Sequence, residues 1–257
     1  MATPQPPQSS VPPVSATAPE PRHLASGYGA SWWGEGWRIF AAAPGTWIGI
    51  TLILLVLMFL MVIVPIIGHI AQTLLLPVFA GGVILGCHAL ARGEPLSVAH
   101  LFQGFKSGRF GPLAVLGLML LATMILFGIV MFFGLLMSFG MSGLSALAGE
   151  TDLLRLMNAI GIGFLLLLLV ALGGGLLIAM AFWFAPALVT LSGDEPFAAI
   201  QKSFRACWMN FGAFLIYSLI SVGLAIVASI PFGLGWLVLG PMVAGSCYAG
   251  WRQIFSG

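Results

Sequence analysis

Apolar residues occur along this chain in six long runs, separated by polar connections. Roughly 20 consecutive apolar residues form a helix that crosses the ~30 Å hydrocarbon core of a bilayer. The runs therefore predict an all-α membrane protein with six transmembrane helices, paired as three hairpins. The predicted spans are about 44–64, 67–91, 112–139, 160–191, 211–230 and 233–251.

The first and last predicted hairpins share a sequence pattern. The second helix of each carries a Pro-x-x-Ala-Gly motif, at 77–81 and at 241–245. An even number of predicted spans separates the two hairpins, so both enter the membrane from the same side. This predicts parallel repeats. An inverted repeat would favour alternating-access transport, whereas a parallel repeat leaves transport open without supporting it.

Three connections on one side of the membrane place apolar residues at helical spacing beside cationic residues. Helices with such a face lie in the membrane interface, so we expect three interfacial amphipathic helices, each followed by a transmembrane hairpin. Their apolar positions are Trp33, Trp37 and Phe40 before the first span; Val98, Leu101, Phe102 and Phe105 before the third; and Phe197, Ile200, Phe204, Cys207 and Trp208 before the fifth.

Cations are concentrated on the same side. Of the nine Lys and Arg residues, eight lie there, and Arg155 lies on the opposite side. The positive-inside rule then places both termini in the cytoplasm. We expect four of these cations, in the connections that carry the second and third amphipathic patterns, to contact anionic lipids. They are Lys106, Arg109, Lys202 and Arg205.

Composition agrees with a membrane protein. Hydrophobic residues make up 60% of the chain and charged residues only 6%, which excludes a water-soluble fold. A formal net charge of +2 argues against nucleic acid as a partner. Residues 1–31 differ, because they are rich in proline and lack an apolar run. We expect them to form a disordered cytoplasmic tail, which leaves 32–257 as the membrane domain.

Chemically active groups are scarce in the predicted spans. No Asp, Glu, Lys or Arg lies well inside any of them, which counts against ion-coupled transport and carboxylate catalysis. Cys87, Cys207 and Cys247 lack metal-binding spacing, and we interpret His88 as a neutral interfacial histidine hydrogen-bonded to a neighbour. The sequence also lacks the GxSxG, HExxH and phosphate-loop motifs. We therefore predict no enzymatic activity, no metal and no cofactor.

The fourth run is unusually long and contains Gly173, Gly174 and Gly175, with Pro186 further on. One interpretation is a broken helix that presents backbone groups to a substrate. The other, which we favour, is a tilted helix with a flexible or closely packed middle.

Six short motifs lie between residues 32 and 255: GWRIF at 36–40, LP at 76–77, ARGEP at 91–95, LFQGF at 101–105, WFAPAL at 183–188 and SFRAC at 203–207. Together they resemble a family of bacterial multi-pass inner-membrane proteins that has no established activity, cofactor or catalytic residues. The resemblance implies a location in the inner membrane and a helical fold.

Two functions follow from these observations. The first is a non-enzymatic scaffold or accessory subunit that binds lipids or partners at its cytoplasmic face, with a membrane-protein partner or a second copy of the chain both open. The alternative is a transporter or channel for a small or apolar solute, which would pass near 173–175.

Overall fold

The computed structural model describes residues 20–106, 108–147 and 153–256, and the side chains of 20–106, 108–137, 140 and 161–256. Every regular element in these ranges is helical. In chain order they are α1 (Tyr28–Ala42), α2 (Pro44–Val62), α3 (Ile67–Ala91), a 3₁₀ turn (Val98–Phe102) leading into α4 (Gln103–Lys106), α5 (Phe110–Leu147), α6 (Leu153–Phe182), α7 (Ala185–Ala187) leading into a π turn (Leu188–Ser192), α8 (Pro196–Met209), α9 (Phe211–Ser229) and α10 (Trp236–Phe255).

Five segments among the described residues are long and apolar enough to cross a membrane, and they match the first five predicted spans within a few residues. The sixth predicted span, 233–251, falls on α10, which is not among them. Polar residues of α10, including Ser246, Arg252 and Gln253, lower its hydropathy. The five segments are Pro44–Val62, Ile67–Ala91, Phe110–Met137, Gly161–Ser192 and Phe211–Ser229.

Most of these segments expose apolar side chains around much of their surface. Phe59 on α2, Leu126 on α5 and Leu219 on α9 all point away from the protein. A helix that is apolar on all sides belongs in a protein core or in lipid. The exposed residues therefore mark the surface that faces the hydrocarbon, while α3 and α10 lie further inside the bundle.

Helix α1 packs along α10 with its backbone in close contact. A Cβ on Gly36 would lie 2.4 Å from the carbonyl oxygen of Met242, and a Cβ on Gly245 would lie 3.0 Å from the Cα of Gly36. Trp33 and Phe40 are consequently buried in the protein, and only Trp37 is exposed, at 53%. The sequence pattern assigned these three residues to the membrane interface, so the structure corrects that assignment for two of them.

An aromatic cluster fills the space beneath α1. Trp33 stacks on Tyr217 of α9 with ring centroids 4.9 Å apart, and its indole N–H donates to the Tyr217 carbonyl at 3.3 Å. The Tyr217 hydroxyl in turn hydrogen-bonds the Ser246 hydroxyl of α10 at 2.8 Å. These contacts join α1, α9 and α10 into one unit.

The two other amphipathic patterns are also partly covered by protein. Phe102 and Phe105 pack edge-on against Phe79 of α3, with centroids 6.3 and 5.4 Å apart. On α8, the buried face consists of small residues such as Ala199, and the bulky residues Phe197 and Trp208 are left outside. The pattern of apolar positions thus identified the helices correctly, but not which apolar residues face the protein.

Helix α6 runs without a break through Gly173, Gly174 and Gly175. The helix is therefore not broken at these glycines, and of the three only Gly174 is closely packed, because a Cβ on Gly173 or Gly175 would meet no neighbour within 4 Å. A Cβ on Gly174 would lie 2.5 Å from a ring carbon of Phe127 on α5. In lipid no water competes for the backbone hydrogen bonds of the helix, so glycines there do not open it.

The helix ends instead at Phe182, shortly before Pro186. The hydroxyl of Ser203, on α8, accepts a hydrogen bond from the Phe184 N–H at 3.0 Å and donates one to the Met180 carbonyl at 2.7 Å. A buried helix end needs such partners for its free backbone groups. Ser203 thus stabilises the end of α6.

The segment just before α1 is attached to the bundle. The Arg22 N–H donates to the Ile254 carbonyl at 3.2 Å, and the Leu24 N–H donates to the side-chain oxygen of Asn210 at 2.7 Å. The folded domain therefore extends to residue 20, rather than starting at 32 as the tail prediction implied. The earlier part of that predicted tail, 1–19, lies outside the described residues.

The close contact of α1 and α10 gives a direct test. Gly36→Ala places a methyl group against the Met242 carbonyl, and we expect it to lower the free energy of unfolding by about 1–3 kcal/mol. Gly34→Ala on the same helix has no neighbour within 4 Å. This control should be neutral or stabilising by up to about 1 kcal/mol. Equal thermal stability of the two variants in detergent would contradict the packing described here.

Candidate functional site

The charged residues described by the structure gather mainly at one end of the bundle. This end carries the segment from residue 20 to α1, the start of α8 and the last turns of α3 and α10. Arg22 and Ile254 are hydrogen-bonded to each other here, and Arg252 and Arg92 lie in the same region. Candidate functional groups therefore lie mainly at this end, which the positive-inside rule predicts to be cytoplasmic.

Lys202 is one of the four predicted lipid contacts, and it is partly buried. Its ammonium group pairs with Asp194 at 2.7 Å, with side-chain exposures of 17% and 6% respectively. Gly193 adopts the left-handed conformation, with φ of 76°, and so turns the chain to place Asp194 inside. Because its charge is neutralised within the chain, Lys202 is foremost a structural residue.

The other three predicted contacts are exposed. Arg109 packs beside the same turn, because a Cβ on Gly193 would lie 2.7 Å from one of its guanidinium nitrogens. Lys106 precedes it on α4. Arg205 lies one turn further along α8 than Lys202 and pairs with Glu20 at 2.6 Å on the surface. The structure thus brings Arg109 and Lys202 to one turn, while Arg205 lies elsewhere on α8.

An aromatic edge runs along the outside of α8 beside Arg205. Phe197 and Trp208 are 62% and 64% exposed, and Phe204 stacks on Trp208 with centroids 6.2 Å apart. These three residues share one face of the helix, and the small residues on its neighbouring face pack against α6. An exposed aromatic edge next to cations is typical of a helix at the membrane interface.

A second charged cluster, which sequence reasoning missed, lies between α1, α3 and α10. Glu35 on α1 is hydrogen-bonded by Arg38 and lies 3.5 Å from a guanidinium nitrogen of Arg252. The hydrogen bond from Arg38 holds the pKa of the Glu35 carboxyl below its usual range. The spacing of Glu35 and Arg38 on a helix was a local signal for their pairing, but nothing local pointed to Arg252.

Arg252 is oriented by further contacts inside the bundle. Its guanidinium carbon lies 6.0 Å from the centroid of the Tyr248 ring, and the Tyr248 hydroxyl lies 3.0 Å from Nδ1 of His88. His88 therefore has the hydrogen-bonded neighbour that its sequence position suggested. Beside this chain of contacts is a cavity of about 240 Å³, whose lining includes Glu35, Arg38 and Arg252.

Two apolar cavities, open to the outside of the bundle, flank Trp183. One, of about 280 Å³, is bounded by residues of α2, α3 and α10, including Trp47, Val83 and Cys247. The other, of about 290 Å³, lies between α6 and α9. Trp183 lines both, next to the end of α6. These cavities have the size and lining of sites for apolar groups.

All three cysteines have free thiols, and two of them, Cys87 and Cys207, are buried. The Cys247 thiol donates to the Trp183 carbonyl at 3.4 Å. Burial raises the pKa of the Cys207 thiol, which disfavours the reactive thiolate. Among the described residues there is no cluster of His, Cys, Asp and Glu side chains that would hold a metal ion.

Five membrane-length helices with an apolar exterior define a multi-pass membrane protein. The chain is similar to a probable inner membrane protein of Burkholderia thailandensis, with 29% identity over 221 residues that cover 82% of this chain and 77% of the relative. This confirms the resemblance to bacterial inner-membrane proteins. No family model matches the chain. No solved structure matches it either.

Lys202 and Arg205 give a second test, because they differ in burial. Lys202→Met leaves the Asp194 carboxylate buried without its partner, and we expect a loss of about 3 kcal/mol in stability. Arg205→Met breaks only an exposed pair and should cost less than about 1 kcal/mol. Thermal unfolding of both variants in the same detergent measures the difference. Equal losses would show that Lys202 has no special structural role.

Proposed function

We propose that the protein is a non-enzymatic scaffold or accessory subunit of the inner membrane, which binds anionic lipids at its cytoplasmic face. The observation that carries this proposal is the outer edge of α8. There Phe197 and Trp208 lie exposed beside Arg205, as expected for a helix embedded among lipid headgroups.

The proposal includes the finer topology: six spans in three hairpins, with parallel first and last repeats and both termini in the cytoplasm. The order of helices supports it. An amphipathic segment precedes a pair of long helices three times, as α1 before α2 and α3, the 3₁₀ turn and α4 before α5 and α6, and α8 before α9 and α10. In this topology α10 is the sixth span, shielded from lipid over much of its length by α1.

The structural contacts of the buried polar side chains support a binding function without catalysis. The Asp194 carboxylate pairs with Lys202, and the Ser203 hydroxyl satisfies the end of α6. These groups hold the fold together, and the exposed cations lie at the surface, where headgroups are found. A protein partner or a second copy of the chain would meet the same cytoplasmic face.

The experiment compares lipid selectivity in reconstituted membranes. We expect the triple variant Lys106→Gln, Arg109→Gln, Arg205→Gln to lose preference for phosphatidylglycerol over phosphatidylcholine, at about 1 kcal/mol for each cation removed. Spin-labelled lipids of both kinds report this preference by electron paramagnetic resonance. Lys202 is left unchanged, because its replacement would leave the Asp194 carboxylate without its ion-pair partner and would destabilise the protein.

The matched control exchanges the cations without removing charge, as Lys106→Arg, Arg109→Lys and Arg205→Lys. It should keep the wild-type preference, since long-range attraction to anionic headgroups depends on charge. If the triple glutamine variant keeps the preference as well, the cations of this surface do not bind lipid and the proposal is wrong.

A transporter or channel for a small or apolar solute is the second candidate function. The observation that favours it is the pair of cavities separated by Trp183 at the end of α6. A solute that moved between them would have to displace this side chain. The continuous helix at 173–175 offers no free backbone groups for a substrate, so a path would run past Trp183 instead.

Cysteine labelling distinguishes the two functions. In a background without native cysteines, single cysteines replacing Leu176, Ala179 and Met180 would line a path next to Trp183. A transporter predicts that a membrane-impermeant thiol reagent modifies them from one side. Uniform protection is the result that the lipid-binding proposal predicts.

A further inference from the structure

We propose that the cavity between α1, α3 and α10 binds a phosphate ester that carries one negative charge, such as the headgroup phosphate of a membrane phospholipid. The inference deepens the proposed lipid-binding function and rests on it. It concerns a site distinct from the outer edge of α8.

Two guanidinium groups converge on this cavity. Glu35 holds both, through the hydrogen bond from Arg38 and the 3.5 Å approach of Arg252. Guanidinium groups bind phosphate oxygens through paired N–H donors, which makes arginine the preferred residue for this anion. Because Arg38 and Arg252 remain partly exposed, their other N–H groups are accessible to a ligand.

The charge of the cluster matches a monoanion. Arg38 and Arg252 supply two positive charges and Glu35 one negative charge, which leaves +1 at the cavity. The phosphodiester of a glycerophospholipid carries a single negative charge, so binding would neutralise the site. The cavity of about 240 Å³ is several times the ~30 Å³ that a water molecule occupies in the liquid, which gives room for a phosphate group.

The position of the cavity suits a lipid. Its apolar wall contains Ile39 and Ala42 of α1 and Leu90 and Ala91 of α3. Ala91 is the last residue of the membrane-length segment Ile67–Ala91. The cavity therefore lies where an apolar span meets charged residues, which is the level of the headgroups in a bilayer.

Residues inside the bundle hold Arg252 in position at the cavity. The Tyr248 ring lies beneath Arg252, and the Tyr248 hydroxyl is fixed by His88. The face of an aromatic ring attracts a cation within about 6 Å. Arg252 is thus oriented before a ligand arrives, which favours binding.

Calorimetry with short-chain lipids, kept below their micellar concentration, measures the affinity of the cavity for single lipid molecules. Both headgroups carry the phosphodiester, but Arg38 and Arg252 repel the choline ammonium of dihexanoyl phosphatidylcholine, so dihexanoyl phosphatidylglycerol should bind the wild-type protein more tightly. Arg38→Gln and Arg252→Gln should each weaken phosphatidylglycerol binding by about fivefold. Arg92→Gln removes one charge from the same end of α3 without lining the cavity, and its affinity should stay close to that of wild type.

The variant Glu35→Gln tests whether the arginine variants weaken binding only because they misfold. It raises the charge of the cavity to +2, so we expect it to bind phosphatidylglycerol more tightly than wild type, which a misfolded variant would not do. Titration with inorganic phosphate separates the two sources of the ligand. Phosphate binding that depends on both arginines, without lipid binding, would assign the site to a soluble phosphate ester.

The inference is overturned if Arg92→Gln weakens binding as much as the cavity variants, or if the wild-type protein binds neither phosphatidylglycerol nor phosphate. Its failure is distinguishable from that of the proposed function. The spin-label experiment tests the lipid preference that depends on Lys106, Arg109 and Arg205. Calorimetry tests the binding that depends on Arg38 and Arg252. One prediction can therefore fail while the other holds.

Discussion

The backbone contact between α1 and α10 is the interaction on which the rest of the structure depends. In a bilayer, lipid tails are as apolar as leucine, so helices associate through close packing and not through a hydrophobic driving force. Gly36 and Gly245 allow the two helices to approach until backbone atoms meet. That approach buries Trp33 against Tyr217 and brings Glu35 within reach of Arg252. Both the core and the candidate phosphate site are therefore consequences of one helix contact.

Buried polar groups in this protein support its irregular segments. Ser203 satisfies the end of α6, Asn210 holds the segment before α1, and Lys202 pairs with Asp194 at the turn before α8. Ser203 and Asn210 bond backbone groups that would cost several kcal/mol if left unsatisfied in an apolar medium, and Lys202 neutralises the buried Asp194 carboxylate. These side chains serve the fold, and the proposed lipid-binding surface consists of exposed cations and aromatic residues.

Much of this architecture was predictable from local sequence. Runs of apolar residues located five spans, because membrane thickness imposes a length that composition reveals. The interior faces of α1 and α8 were not predictable, because bulky apolar residues suit both lipid and protein, and glycine or alanine gives no signal of its own. The Glu35–Arg252 contact joins residues far apart in sequence, so spacing could not reveal it. The glycines at 173–175 allowed two interpretations from sequence, and the structure shows α6 continuing through them, with Gly174 packed against the Phe127 ring.

The proposed function is the binding of anionic lipid at the end of the bundle where Arg22 and Ile254 lie. Native mass spectrometry of the protein, extracted gently from its own membrane with bound species left in place, tests it most directly. The account predicts a chain or an assembly that retains anionic phospholipids in excess over the zwitterionic lipids of the same membrane. Retained lipids that merely mirror the composition of the membrane, or a discrete non-lipid solute in their place, would contradict it.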